Sequence, residues 1–298
     1  MKKIFIDAGS STVKIYFWQD GKLDLALQKS ITFKDGFDPA VGISNENKEK
    51  LFELMASVKN NNVGDEIKIF ATGIFRKLIS EARDLFAGEF KERTDMDFNI
   101  ISQEQENIYL EKALIGKCSL PEPILLINIG GGSTELVLVC NGAVIERKNV
   151  DLGVGTVNTK FSEINNPVSG VGLESVLEYI TVMLPELSSK VKIAFYTGGE
   201  LNYMQLAGYP LEKNNLFEDS DHPVFILTSN FAQKNKKNYT EIKISEIEAL
   251  MPDNPKWMHG ARGCSAIAQA ICEKYGVEKI IPSNSNLING VVRDEGVY

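Results

Sequence analysis

Two short turns of small residues carry the first chemical signal in this chain, Gly9-Ser10-Ser11-Thr12 and Gly130-Gly131-Gly132-Ser133-Thr134. Backbone amides in such a turn can converge on an anion, because glycine permits close approach and neighbouring hydroxyls add donors. Hairpin turns use the same residue types, so the first turn taken alone is equally well an ordinary one. Three consecutive glycines are harder to explain that way, since they weaken the end of a buried strand. Asp7 closes the apolar run Ile4-Phe5-Ile6, where a carboxylate is costly unless it meets a metal, a donor or solvent. Metal coordination is the preferred reading, with capping of the turn amides as the plain alternative. Glu135 interrupts an apolar strand directly after the glycines, as a ligand or as a solvated strand position. Residues 101–111 (ISQEQENIYLE) hold Glu104, Glu106 and Glu111; spacing selects none of them, and such a run is usually a solvated helix face. Beside a phosphate site, one of these acids could orient a water for attack on phosphorus. Arg76, in ATGIFRK, could reach a phosphate oxygen, an exposed helical arginine being the commoner case.

The elements that must hold these residues repeat once. Residues 4–24 (IFIDAGSSTVKIYFWQDGKLD) and 125–145 (LLINIGGGSTELVLVCNGAVI) share an apolar strand, a polar residue, a small-residue turn, an alternating strand and a two-residue turn. Asp7 corresponds to Asn128, Gly9 to Gly130, Thr12 to Ser133 and Lys14 to Glu135. Asp20-Gly21 and Asn141-Gly142 fall at the same offset and suit the positive φ angles of a type I′ hairpin turn. Between the copies, helical periodicity covers 46–59 and 171–188, and short buried strands are expected at 67–70 and 192–196. Each of those strands leads into an expected helix, 74–86 and 200–206, and the chain closes with helix 259–275, strand 277–281 and helix 286–293. The polar stretch 232–238 (AQKNKKN) reads as an exposed loop. The fold class expected is α/β in two domains, 1–125 and 126–298, with a cleft between their glycine-rich hairpins.

Composition narrows the chemistry. The chain of 298 residues is 43% hydrophobic and 24% charged, enough for two cores, with no apolar run near the about 18 residues of a membrane span. Cys118, Cys140, Cys264 and Cys272 show no ligand spacing, and His222 and His259 are the only histidines, so a zinc site or a Ser-His-Asp triad has little material. After two lysines only Ile4, Phe5 and Ile6 precede Asp7, too short for a signal-peptide core, so the cytoplasm is the default location. A net charge of −8 opposes non-specific attraction to nucleic acid or anionic membrane. A polyanionic substrate would need a local basic site or a divalent metal.

IDAGSSTVK, ATGIFR, ISQEQEN, INIGGGSTEL and YTGGEL stand in an order and spacing that resemble the exopolyphosphatase/guanosine pentaphosphate phosphohydrolase (Ppx/GppA) family. INIGGGSTEL is the most specific match, and DLGVGTV (151–157) and LINGVVRD (287–294) extend the likeness over nearly the whole chain. The resemblance implies two ribonuclease-H-like domains of the actin-like ATPase and sugar-kinase superfamily, facing across a phosphate-binding cleft. It places the catalytic glutamate, which positions and deprotonates the attacking water, on Glu106. It implies phosphoryl contacts from Gly9, Ser10, Ser11, Arg76, Gly130, Gly131, Gly132, Ser133 and Thr134. Asp7, Asn128 and Glu135 would place Mg²⁺ (or Mn²⁺) directly or through water. Asn128 stands where the family usually has aspartate, keeping an oxygen ligand without the charge. Gln103 and Gln105 replace a glycine and a glutamate beside Glu106.

The activity implied is metal-assisted release of terminal phosphate from inorganic polyphosphate or guanosine pentaphosphate. Longer family members carry extra helical modules that this chain lacks, which implies a shorter channel and short polyphosphates. Two other functions compete: an ATP-dependent kinase of the same superfamily, for which Gly198-Gly199 could approach a nucleotide, and a non-catalytic sensor of a phosphate compound. Neither nucleic acid nor membrane is an expected partner, and a homodimer is open as the assembly.

Overall fold

The computed structural model describes residues 2–115, 120, 122–166, 172–216, 221–252 and 254–296, so Cys118 and the start of the expected helix 171–188 lie outside the described residues. The chain divides into two compact units, Met1–Ala113 with Leu287–Tyr298, and Leu114–Asn286. The sequence-based boundary at 125/126 thus falls inside the second unit, and the last helix belongs to the first.

In the first unit the elements run β1 (Lys3–Ala8), β2 (Thr12–Gln19), β3 (Lys22–Ser30), α1 (Asn45–Asn61), β4 (Glu66–Ala71), a 3₁₀ turn (Gly73–Lys77), α2 (Ser80–Thr94), β5 (Asn99–Ile100) and α3 (Gln103–Ile115). The sheet order is β3-β2-β1-β4-β5, antiparallel through β1 and parallel from β1 to β5. A parallel neighbour requires a crossover, which α1 supplies between β3 and β4. The expected helix 74–86 is broken: Gly73 takes φ +58°, and Leu78 is extended and buried. Ile79 N–H bonds Pro39 O instead of continuing a helix.

The second unit repeats the plan with β6 (Ile124–Ile129), β7 (Thr134–Cys140), β8 (Ala143–Val150), α4 (Val154–Lys160), α5 (Leu173–Met183) and β9 (Ile193–Thr197). It continues with α6 (Glu200–Leu206), β10 (Glu212–Lys213), β11 (Val224–Leu227), α7 (Thr228–Thr240), α8 (Ile244–Glu248), α9 (Ala261–Tyr275) and β12 (Lys279–Pro282). Its sheet order is β10-β11-β12-β9-β6-β7-β8, so β8-β7-β6-β9 reproduces β3-β2-β1-β4. Both hairpin turns have the expected geometry, with φ of 53° and 79° at Asp20-Gly21 and 51° and 74° at Asn141-Gly142. α5 stops at Met183 because Leu184 precedes Pro185 and is held extended. The expected loop 232–238 is instead the middle of α7. Its inward stripe is Phe231, Asn235, Asn238 and Tyr239, and two asparagines in that stripe mask the apolar period. They are satisfied inside: Asn235 bonds Tyr209, Ser265 O and Gln269.

The chain ends by returning to the first sheet. Phe5, Tyr16, Trp18 and Phe70 on one face of that sheet cluster with Leu287, Ile288, Val291 and Val292 of α10 (Leu287–Asp294). The opposite face, through Ile4 and Ile6, packs on α1 and α2 with Phe52, Phe86 and Phe90. Gly290 lets α10 lie against the α3 backbone, since any Cβ there would overlap the Tyr109 carbonyl. Among the described residues no helix is long and apolar enough to cross a membrane.

Candidate active site

In the first unit the strand register sets Asp7 opposite Lys14 at the mouth of the β1–β2 hairpin, and Gly9 N–H closes the turn on Thr12 O at 2.9 Å. The turn is tied to β4: Thr72 N–H donates to Ala8 O (3.0 Å) and Ile74 N–H to Ser10 Oγ (3.0 Å). Gly73 is required between them, because its φ is positive and a Cβ would collide with the Ser10 hydroxyl. The same 3₁₀ turn delivers Arg76. Its Nη1 pairs with Glu106 Oε2 at 2.5 Å, across 30 residues of sequence, and its Nη2 donates to Gln103 Oε1 at 2.5 Å.

Glu106 stands in the first turn of α3, which a reciprocal cap begins. Gln105 N–H donates to Ser102 Oγ (3.1 Å), and Gln105 Oε1 accepts from Ser102 N–H (3.3 Å). Gln105 is therefore a capping residue. Of the three acids that spacing could not separate, Glu104 is exposed, Glu111 is buried further along α3, and Glu106 is the half-buried one held by Arg76. Desolvation pushes the Asp7 carboxyl up to about 6; Lys14 opposes the shift and Glu106 adds repulsion.

In the second unit Gly130 N–H closes its turn on Ser133 O at 2.8 Å, and the register sets Asn128 opposite Glu135. Glu135 accepts from Asn128 Nδ2 (2.9 Å) and Ser133 Oγ (2.7 Å). Gly131 and Gly132 are exposed, whereas Thr134 is fully buried and its hydroxyl donates to Leu152 O at 2.5 Å. Thr134 therefore holds the scaffold, and the rim of the turn is made by Gly131, Gly132 and Ser133.

The donors suit a hard cation unequally. Asp7 is desolvated and accepts no hydrogen bond among the described residues, and the Lys14 charge offsets only part of that cost. Glu135 already has two donors, and Asn128 has turned its amide nitrogen toward it, leaving Asn128 Oδ1 as the neutral oxygen. Among the described residues no three His, Cys, Asp or Glu side chains cluster as a cage. Magnesium commonly takes only one or two carboxylates and completes its shell with water and substrate phosphates, a demand that the donors of either unit taken alone can meet.

Both histidines have partners outside the glycine turns. His222 is buried on Ser283, and His259 pairs with Glu248. No disulfide occurs among the described residues. Sequence reasoning missed Lys14, Gly73 and the 151–155 segment as parts of the site, and treated Gln103 only as a departure. The Asp7–Lys14 pairing was there to be read, since both follow from counting outward from the turn.

The model of the Ppx/GppA phosphatase family matches residues 30–294. The chain belongs to the Ppx/GppA phosphatase family. Arg76, Glu106 and the Gly130–Thr134 turn lie inside the matched span, while the Gly9–Thr12 turn precedes it. The fold agrees. The crystal structure of an Aquifex aeolicus Ppx/GppA phosphatase, type II variant, superposes with a TM-score of 0.74 at 18% identity, covering 99% of each chain. An exopolyphosphatase from Cytophaga hutchinsonii gives 0.69 at 13% identity, over 99% of this chain and 97% of that one. A curated relative is the bifunctional 3-dehydroquinate synthase/phosphatase of Fusobacterium nucleatum subsp. nucleatum, 28% identical over 236 residues. That match covers 76% of this chain and 34% of the relative, so the chain spans about a third of the relative's length.

Proposed function

We propose that this family member is a metal-assisted phosphohydrolase that releases terminal phosphate from inorganic polyphosphate or guanosine pentaphosphate, with water as acceptor. The observation that carries this reading is the Arg76–Glu106 pair: a cation suited to phosphate oxygens and a carboxylate suited to activating water meet at 2.5 Å beside Asp7. Phosphoryl transfer asks mainly for positioning and charge stabilisation. Glu106 accepts the proton of the attacking water, Arg76 turns from Glu106 toward a phosphoryl oxygen, and the two turns offer N–H and hydroxyl donors to the remaining oxygens. Asp7 in the first unit would hold Mg²⁺ or Mn²⁺ directly or through water, as would Asn128 and Glu135 in the second; when bound, the cation supplies positive charge against the phosphates. It also offsets repulsion between an acidic protein and a polyanion.

The test is phosphate release from tripolyphosphate, long-chain polyphosphate, guanosine pentaphosphate and ATP, with and without Mg²⁺, for wild type and Glu106→Gln. Release that requires both Glu106 and metal is expected; release unchanged in Glu106→Gln removes the assignment. The hydrogen-bonded state of Glu135 favours a second reading, a binding protein that senses the phosphate compound without turnover. Ligand-induced thermal stabilisation with no release would select it.

A further inference from the structure

After β8 the chain doubles back as a strap, residues 151–155, onto the glycine turn of its own unit. Val154 N–H donates to Gly130 O at 3.0 Å, and Gly155 N–H to Gly131 O at 2.7 Å. The buried Thr134 hydroxyl fastens the strap from below through Leu152 O. The approach leaves no space for side chains. A Cβ on Gly153 would stand 2.5 Å from Gly132 N and 2.7 Å from Gly130 O, and one on Gly155 2.7 Å from Gly131 O. These are backbone atoms of the turn, which cannot swing aside as the tip of a long side chain would.

The bonds fix more than position. In a planar trans peptide the C=O and the following N–H point in opposite directions. Fixing Gly130 O and Gly131 O on the strap therefore aims the N–H groups of Gly131 and Gly132 away from it. Both glycines are exposed, and neither N–H meets an acceptor among the described residues. Two adjacent outward N–H groups on a fixed backing are a donor pair of the kind that can receive an anion.

We propose that Gly153 and Gly155 are positioning residues, holding the Gly131 and Gly132 amides as a preset receptor for one phosphoryl group. The proposal rests on the phosphohydrolase reading for its ligand class and extends it to the segment that backs the glycine turn. Preset donors cost no reorganisation when charge develops on the phosphoryl oxygens. A side chain at position 153 or 155 would let the two peptide planes rotate, so the amides would no longer converge.

The test follows the Gly131 and Gly132 amide resonances of the ¹⁵N-labelled full chain during titration with methylenediphosphonate and Mg²⁺, for wild type, Gly155→Ala, Thr134→Val and Thr134→Ser. In wild type both amide protons should move saturably. In Gly155→Ala, with the remaining spectrum unchanged, the response should vanish and affinity fall at least tenfold. Should Gly155→Ala fail to fold, Thr134→Val, which releases Leu152 O, carries the test with a several-fold loss that Thr134→Ser restores. Wild-type affinity and shifts in both Gly155→Ala and Thr134→Val would overturn the proposal, as would silent Gly131 and Gly132 amides in wild type. Phosphate release from tripolyphosphate is measured separately. Absent release with an intact amide response sinks the hydrolase reading and leaves the strap standing.

Discussion

The two glycine turns close with the same bond, Gly9 N to Thr12 O at 2.9 Å and Gly130 N to Ser133 O at 2.8 Å, and each takes a backbone bond from the segment after its third strand, Ile31 N to Ser11 O at 3.2 Å and Val154 N to Gly130 O at 3.0 Å, yet the rest of their support differs. The first is tied in addition by a side chain: Ser10 Oγ takes Ile74 N–H from the segment after β4, on the route to Arg76. The second adds a further backbone bond from the segment after β8, Gly155 N to Gly131 O, with the Thr134 hydroxyl on Leu152 O behind it. Their cross-strand pairs differ too, Asp7 with Lys14 in one and Asn128 with Glu135 in the other. A repeated scaffold has thus divided its labour. On the proposed function the first unit gathers charged groups suited to moving a proton or following a phosphate, and the second presents amides backed by its strap.

The sharpest way to break this contrast is Glu106→Gln, which keeps shape and loses the base. Phosphate release should fall about 10³-fold, the usual range for removing a general base, with the melting temperature nearly unchanged. A loss under about tenfold would mean that the first unit is not where protons move. Next in size is Gly73→Ala, which forces a Cβ onto the Ser10 hydroxyl at positive φ. Its cost should be about 2–3 kcal/mol by chemical denaturation. Gly198→Ala, directly after β9, has positive φ but open space around it and should cost only about 1 kcal/mol. Equal costs would erase the difference in support.

Asp7→Asn tests the charged half against its neutral counterpart Asn128. The Asp7 carboxyl moves from 3.8 to about 6 on folding, so between those values the folded chain holds a proton that the unfolded chain has released. Wild-type stability therefore falls as pH rises through that window. In metal-free buffer Asp7→Asn should be more stable than wild type at pH 7 by about 1–2 kcal/mol and indistinguishable from it below about pH 4. A pH-independent difference would mean that Asp7 is solvated. The smallest effect is expected from Asn128→Asp, which sets a second carboxylate against Glu135. It should lower the metal-free melting temperature slightly and lower the Mg²⁺ concentration for half-maximal release by up to about tenfold, or about 1.4 kcal/mol.

How much of this could be read beforehand depended on range. Asp20-Gly21 and Asn141-Gly142 announced their hairpins because a type I′ turn is decided by two residues, and register then followed by counting. The meeting of Arg76 with Glu106 is a tertiary event, and α3 carries three acids that local charge pattern cannot rank. α7 was hidden because Asn235 and Asn238 occupy core positions and are satisfied there by partners distant in sequence. The strap was invisible for a different reason. Glycines tell that something comes close, and only the fold tells what.

The return of α10 to the first sheet has a temporal meaning. The second unit, Leu114–Asn286, is one uninterrupted stretch and can mature as soon as it leaves the ribosome. The first must wait with Phe5, Trp18 and Phe70 uncovered until Leu287, Ile288, Val291 and Val292 are translated. Of the two units, the one begun first is the one finished last, because its sheet is covered only after the whole of the second has been translated.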